Sequence, residues 1–225
     1  MSMVTAADAA HQLGVTRRRV AELWGEGFLR GTKTSAGLSI ELTSVHERLS
    51  IGAVPGRPWS EDVVWGIITT LSGDDEHLSL DVGRRIFRHD HEILGKRISA
   101  SIVTARFEAR NRDAVRRALA LTGESALDRL QSEVDVRVLD QLRGQPIRGY
   151  AREPFGVLLE QHDLVEAVTG DIIVHGFRSG QTRIEGETPI ALIAADCLRS
   201  TTTRVRRVGL DALKRMRDEW LAKLT

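Results

Sequence analysis

The chain has 225 residues, 41% hydrophobic and 28% charged, an ordinary composition for a soluble globular protein with room for one large domain or a small module and a medium one. Its net charge of +1 gives no bulk signature of a nucleic-acid binder, and its single cysteine, Cys197, excludes an intramolecular disulfide and fits a reducing compartment. The longest apolar runs, such as Val63–Leu71 and Pro189–Leu198, fall short of the ~20 residues that span a bilayer, and no basic-then-apolar leader opens the chain, so no membrane and a cytoplasmic location are expected.

In chain order, Thr5 caps a predicted helix over Ala6–Leu13, Gly14 supplies a turn, and Thr16 caps a second helix from Arg17 to about Glu26, stopped by Gly27. Phe28–Lys33 and Leu38–Leu42 flank a Thr-Ser-Ala-Gly turn and predict a β-hairpin, after which Ser44 and Glu47 have capping-box spacing. Gly52-Ala-Val-Pro-Gly-Arg-Pro58 disfavours helix and strand and marks the expected boundary. Beyond it, helices are predicted over Glu61–Leu71 (cap Ser60) and from Ser79 to about Leu94. A strand is predicted over Ser99–Glu108, then a helix from Asn111 to Leu121 stopped by Gly123. Strands follow over Val134–Leu139 and Asp171–Phe177, the latter expected to pair with Thr182–Glu185. Pro189 opens a helix to Leu198, and a last helix runs from about Thr203 to Leu224, with Val205, Val208, Leu210, Leu213, Met216, Trp220 and Leu221 inward.

The expected fold class is therefore α+β: an N-terminal winged helix-turn-helix followed by a mixed α+β body ending in a long basic helix. The expected domains are 1–52 for DNA binding and 59–225 for an effector or oligomerisation body, with a split into helical 59–96 and α+β 97–225 left open.

In the first module, Ala9 and Ala10 are small enough for close helix packing. Val15, Val20 and Leu23, with Leu13 and Trp24, have the spacing of a small core. Thr16, Arg17 and Arg18 then lie at the outward start of the second helix, the part that such motifs present to the major groove. Arg17 and Arg18 are the expected base or phosphate contacts, and Thr16 a backbone contact. Arg30 and Lys33 are placed to follow phosphates from the hairpin. Arg19 extends the cluster, with ion pairing to Glu22 or Glu26 as its alternative role. Residues 1–50 hold six bases and five acids, so one copy should bind DNA weakly without sequence preference.

The segment T-A-A-D-A-A-H-Q-L-G-V-T-R-R-R-V-A-E-L-W-G-E-G-F-L, residues 5–29, resembles the winged helix-turn-helix modules of MerR-like and excisionase-like regulators, a resemblance that implies DNA binding. Gly56–Ser60 with Val64–Gly73, Leu121–Ala126, and Ala194–Leu198 with Arg204–Gly209 are similar to segments of actinobacterial regulators related to AbiEi-type antitoxins. That resemblance implies a repressor that neutralises a nucleotidyltransferase-like toxin. The sequence departs from it over Phe155–Val168.

Other chemistry is weaker in the sequence. Gly123-Glu-Ser125 followed by Glu133 and Asp135 has a partial likeness to a nucleotidyltransferase site, in which carboxylates at i and i+2 on one strand face hold Mg²⁺. The glycine and serine are not adjacent and a third carboxylate is unassigned, so no enzyme is expected. His89-Asp90-His91 lacks further clustered ligands and reads as a charged helix face; no metal or cofactor is expected. The basic run Arg199–Arg217 suits a solvated face, an acidic partner or extra phosphate contacts. The expected protein is a sequence-specific DNA-binding transcriptional regulator acting on double-stranded DNA as a homodimer, with a toxin partner as a further expectation. The alternatives are a nucleotidyltransferase-like enzyme using Glu133 and Asp135, or a stand-alone ligand-sensing regulator.

Overall fold

The computed structural model describes residues 2–35, 37–52, 54, 57–130, 144–167, 169–181 and 183–224. The chain is mixed α+β and divides into two compact units. The first comprises Met1–Gly52, Ile102–Ala120 and Gln145–Gly186; the second comprises Ala53–Ser101, Leu121–Gly144 and Glu187–Thr225. The switch at Gly52 falls where the Gly/Pro-rich stretch begins, but the body expected at 59–225 is shared between both units.

The first unit opens with β1 (Met3–Thr5), α1 (Ala6–Leu13), α2 (Arg17–Gly25), β2 (Gly31–Thr34), β3 (Gly37–Glu41) and α3 (Leu42–Ile51). The Thr5 hydroxyl accepts from the Asp8 N–H at 3.2 Å and the Asp8 carboxylate accepts from the Thr5 N–H at 3.4 Å, which satisfies two otherwise orphaned donors at the start of α1. Gly14 ends α1 at φ 65°, a conformation that costs a Cβ-bearing residue energy. β1 and β2 both pair antiparallel with β3, giving the order β1-β3-β2. β1 was not expected: three residues are too few to show a period. Ala9, Ala10, Val20, Leu23, Leu29, Ile40 and Val45 form the core, with Leu13 and Trp24 packed against it. Val15, expected inside, is 37% exposed because it follows the turn and precedes the first residue of α2. The capping box expected at Ser44 and Glu47 is not formed. The N-cap of α3 is Glu41, three residues earlier, Ser44 donates to the Glu41 carbonyl at 2.8 Å, and Glu47 is engaged in ion pairs.

The rest of this unit is built on a five-stranded sheet, ordered β5 (Leu119–Leu121), β6 (Ile147–Ala151), β8 (Ile172–Phe177), β4 (Ile102–Glu108), β7 (Val165–Glu166). β8 is central. It pairs antiparallel with β4 and parallel with β6, and its near-continuous apolar run is buried accordingly. The parallel β6–β8 connection requires a long crossover, which contains α8 (Phe155–Gln161) and β7. The expected partner of β8 at Thr182–Glu185 is replaced: residues 183–185 form no strand, and β4 and β6 occupy both edges. Asn111 caps α7 (Arg112–Ala118) by accepting from the Ala114 N–H at 3.0 Å, but the helix gives way to β5 before Leu121.

The second unit is helical among its described residues, with α4 (Glu61–Leu71), α5 (Leu80–Arg88), α6 (His91–Ala100), α9 (Ile190–Asp196), α10 (Thr203–Ala222) and short 3₁₀ turns at Gly123–Arg129 and Cys197–Arg199. Ser60 occupies the N-cap of α4 without a side-chain bond. The single helix expected from Ser79 is two. Ser79 caps α5, His89 takes an extended conformation, and Asp90 starts α6 by accepting from the Ile93 N–H at 2.7 Å. In α10, Val205, Leu213, Met216 and Trp220 are buried as expected. Gly209 and Ala212 are buried too, while Val208, Leu210 and Leu221 are half-buried. No helix among the described residues is long and apolar enough to cross a membrane.

Candidate nucleic-acid interface

α2 begins with Thr16, whose hydroxyl accepts from the Arg19 N–H at 3.2 Å, and continues Arg17-Arg18-Arg19. Thr16 and all three arginines are exposed. The first turn holds no acid. Three cations at the positive end of a helix dipole are locally unfavourable, by about 0.3–1 kcal/mol for each such charge. Only the next turn offsets them: Glu22 accepts from Arg18 at 3.0 Å and from Arg19 at 3.1 Å. Hydrogen bonds from Arg19 first, then Arg18, hold the Glu22 carboxyl below its ordinary range. Arg18 is 90% exposed in its side chain, and pairs of this kind contribute about 0–1 kcal/mol, so a phosphate can replace the carboxylate at little cost. The alternative role foreseen for Arg19, pairing with Glu22, is therefore present alongside its exposure.

Lys33 is exposed on β2, within the hairpin that Thr34 closes by donating to the Gly37 carbonyl at 3.2 Å. Arg30 is different. It lies before β2, is 6% exposed, and faces inward. Its Nε and Nη2 form a two-pronged contact with Glu41 at 2.8 and 3.0 Å, and its Nη1 donates to Glu47 at 2.9 Å and to Thr104 of β4 at 2.8 Å. The expected phosphate contact by Arg30 is thus corrected, because the side chain is buried and each of its three guanidinium nitrogens bonds internally.

Around Arg30 lies a buried network that the sequence reading did not anticipate. Arg106 pairs with Glu41 at 3.0 Å and Arg148 with Glu47 at 2.8 Å. Burial works against the Arg30 charge, but Glu47 and Glu41 outweigh it and hold the guanidinium above its ordinary range. Burial likewise opposes the Glu47 carboxylate, and Arg30 and Arg148 more than compensate, leaving Glu47 well below the usual carboxylate range. The signal available was charge within apolar strands: Arg106 in I-V-T-A-R-F-E and Arg148 in I-R-G-Y-A. Through Thr104, Arg106 and Arg148 the helix-and-hairpin segment is tied to the large sheet of its own unit.

Comparison with protein families, characterised proteins and solved structures finds no match to this chain. Chemistry must therefore be read from the residues themselves. Glu133 and Asp135 lie outside the described residues. His89 of the His89-Asp90-His91 group packs on Trp59 at a ring-centroid distance of 5.4 Å, and no group of three potential metal ligands occurs among the described residues. The basic run is not one surface. Arg199 is buried and donates to the Ser99 carbonyl at 2.6 Å, whereas Arg206, Arg215 and Arg217 bond to the carbonyls of Ser200, Leu130 and Ile86. Arg204, Arg207, Lys214 and Arg215 are exposed, the last three beside Asp211, Asp218 and Glu219.

Proposed function

We propose that the chain is a sequence-specific DNA-binding transcriptional regulator, acting as a repressor, in which residues 3–51 form a winged helix-turn-helix. The observation that carries this reading is the exposed start of α2: a capped first turn of three arginines without an acid, behind a glycine turn and a packed α1. Helix stability alone would place carboxylates there, so the arginines answer to a different requirement. In this reading Arg17 and Arg18 reach base edges or the flanking phosphates, and Thr16 and Arg19 contact the backbone. Lys33 touches phosphate from the wing and Arg30 takes no part.

Genomic fragments enriched on the purified full chain should share one motif, and anisotropy titrations on that motif should lose affinity in the double variant Arg17→Ala/Arg18→Ala. Undiminished binding by a folded double variant would end the assignment.

A further inference from the structure

The first unit contains a cavity of about 240 Å³ whose walls are mostly carbon, among them Val103, Tyr150, Phe155, Val174, Phe177 and Ile184. Its lining includes the rings of Tyr150, Phe155, His175 and Phe177. Tyr150 stacks on Phe177 at 6.5 Å and meets His175 at 5.4 Å, while Phe155 packs edge-on against Phe107 at 5.5 Å. Arg183 enters the lining, its guanidinium over the Phe177 ring at 5.8 Å and donating to Gln181, also in the lining, at 3.3 Å.

We infer that this cavity binds a small aromatic carboxylate, its ring between the aromatic walls and its carboxylate against Arg183. The size argument is direct. An apolar cavity of about 150 Å³ holds benzene, so 240 Å³ accommodates about ten non-hydrogen atoms, a ring with a short acidic substituent. The chemical argument is that planar walls favour an aromatic ring, while a guanidinium presents the fork that matches a carboxylate.

The cavity also reaches the segment that follows α2. Gly27, two residues beyond α2, forms part of its wall. Its carbonyl accepts from the Thr104 N–H at 3.1 Å, and at φ 78° it leaves only 3.3 Å between an added Cβ and the Val103 side chain. Glu26 is fixed to Arg178 at 3.1 Å. A ligand against Val103 and Gly27 therefore bears on the point where α2 is anchored, and its occupancy changes DNA affinity; this last step rests on the proposed regulator function.

The test uses the full chain with benzoate and phenylacetate as probes and benzyl alcohol as the neutral control. Amide NMR should show saturable shifts centred on Gly27, Val103 and Gly176, with the carboxylates at least tenfold tighter than the alcohol. Arg183→Met, if folded by circular dichroism, should abolish that preference. Gly176→Phe, which grows into the cavity from a lining position where an added Cβ meets only Val103 at 3.9 Å, should abolish binding. Absence of saturable shifts with every probe, or shifts that persist unchanged in a folded Gly176→Phe, overturns the site. Anisotropy with the enriched DNA then separates the two claims. Probe binding without any DNA binding upholds the cavity and overturns the regulator reading. DNA affinity that stays within twofold at saturating probe overturns the coupling alone.

Discussion

Arg17, Arg18 and Arg19 sit where a carboxylate would stabilise α2, and this opposition yields separable outcomes. Replacing Arg17 with alanine should weaken operator binding by about 1–3 kcal/mol while leaving Tm unchanged or slightly raised, read by anisotropy beside circular dichroism. Glu22→Gln should do the reverse. With its pairs to Arg18 and Arg19 removed, DNA affinity should rise and the salt dependence should steepen. The interior charges obey other magnitudes. Glu47→Ala leaves Arg30 and Arg148 buried without their shared partner and should cost about 3–5 kcal/mol in urea denaturation. Because the folded Glu47 pKa lies below the ordinary 4.5, its stabilisation is complete above about that pH and is lost as pH falls below it; an acid titration of Tm that is equally steep in Glu47→Gln would refute this. Arg30 shows why such residues escape a sequence reading. Its partners stand 11, 17 and 74 positions away, and only the tertiary fold distinguishes it from the exposed Lys33.

α1 and α2 were legible because their determinants are local. Thr5, Gly14 and Thr16 act within four residues of themselves, and the bounds follow. The break between α5 and α6 was missed for an equally local reason. Apolar residues stop at Phe87 and resume at Ile93, an interval that a charged helix face also produces, and only Asp90 marks the new start. Asp90→Ala should therefore cost about 1 kcal/mol, seen as a lowered Tm with unchanged fold. β8 could be read from its apolar run and β4 from its β-branched residues, whereas β5, β6 and β7 could not. β6 contains Arg148 and Gly149, β7 has two residues, and β5 has three, so none carries a period. Strand pairing with residues far along the chain, rather than the hairpin expected after Phe177, completed the sheet.

For the whole molecule, the expectation of an autonomous module at 1–52 meets the network around Glu41 and Glu47, whose partners Thr104, Arg106 and Arg148 come from far downstream. A fragment of residues 1–52 should show no cooperative melting transition, in contrast to the full chain. Residues 1–50 carry six bases against five acids, so one copy has little electrostatic hold on DNA. Operator recognition should accordingly require two copies on repeated half-sites, which sedimentation velocity of the chain on its DNA will establish; a one-to-one complex contradicts it.

The interleaving of the two units has a consequence during synthesis. The first unit takes its last residues from the stretch ending at Gly186, so the helices at its start wait for 134 further residues after Gly52. At about 5–20 residues per second that is about 7–27 s on the ribosome. Early in that interval Arg106 and Arg148, the partners of Glu41 and Glu47, are not yet made, and the arginines of α2 emerge long before the scaffold that anchors them. If the chain acts as proposed, operator binding should appear only after most of the polypeptide has been made.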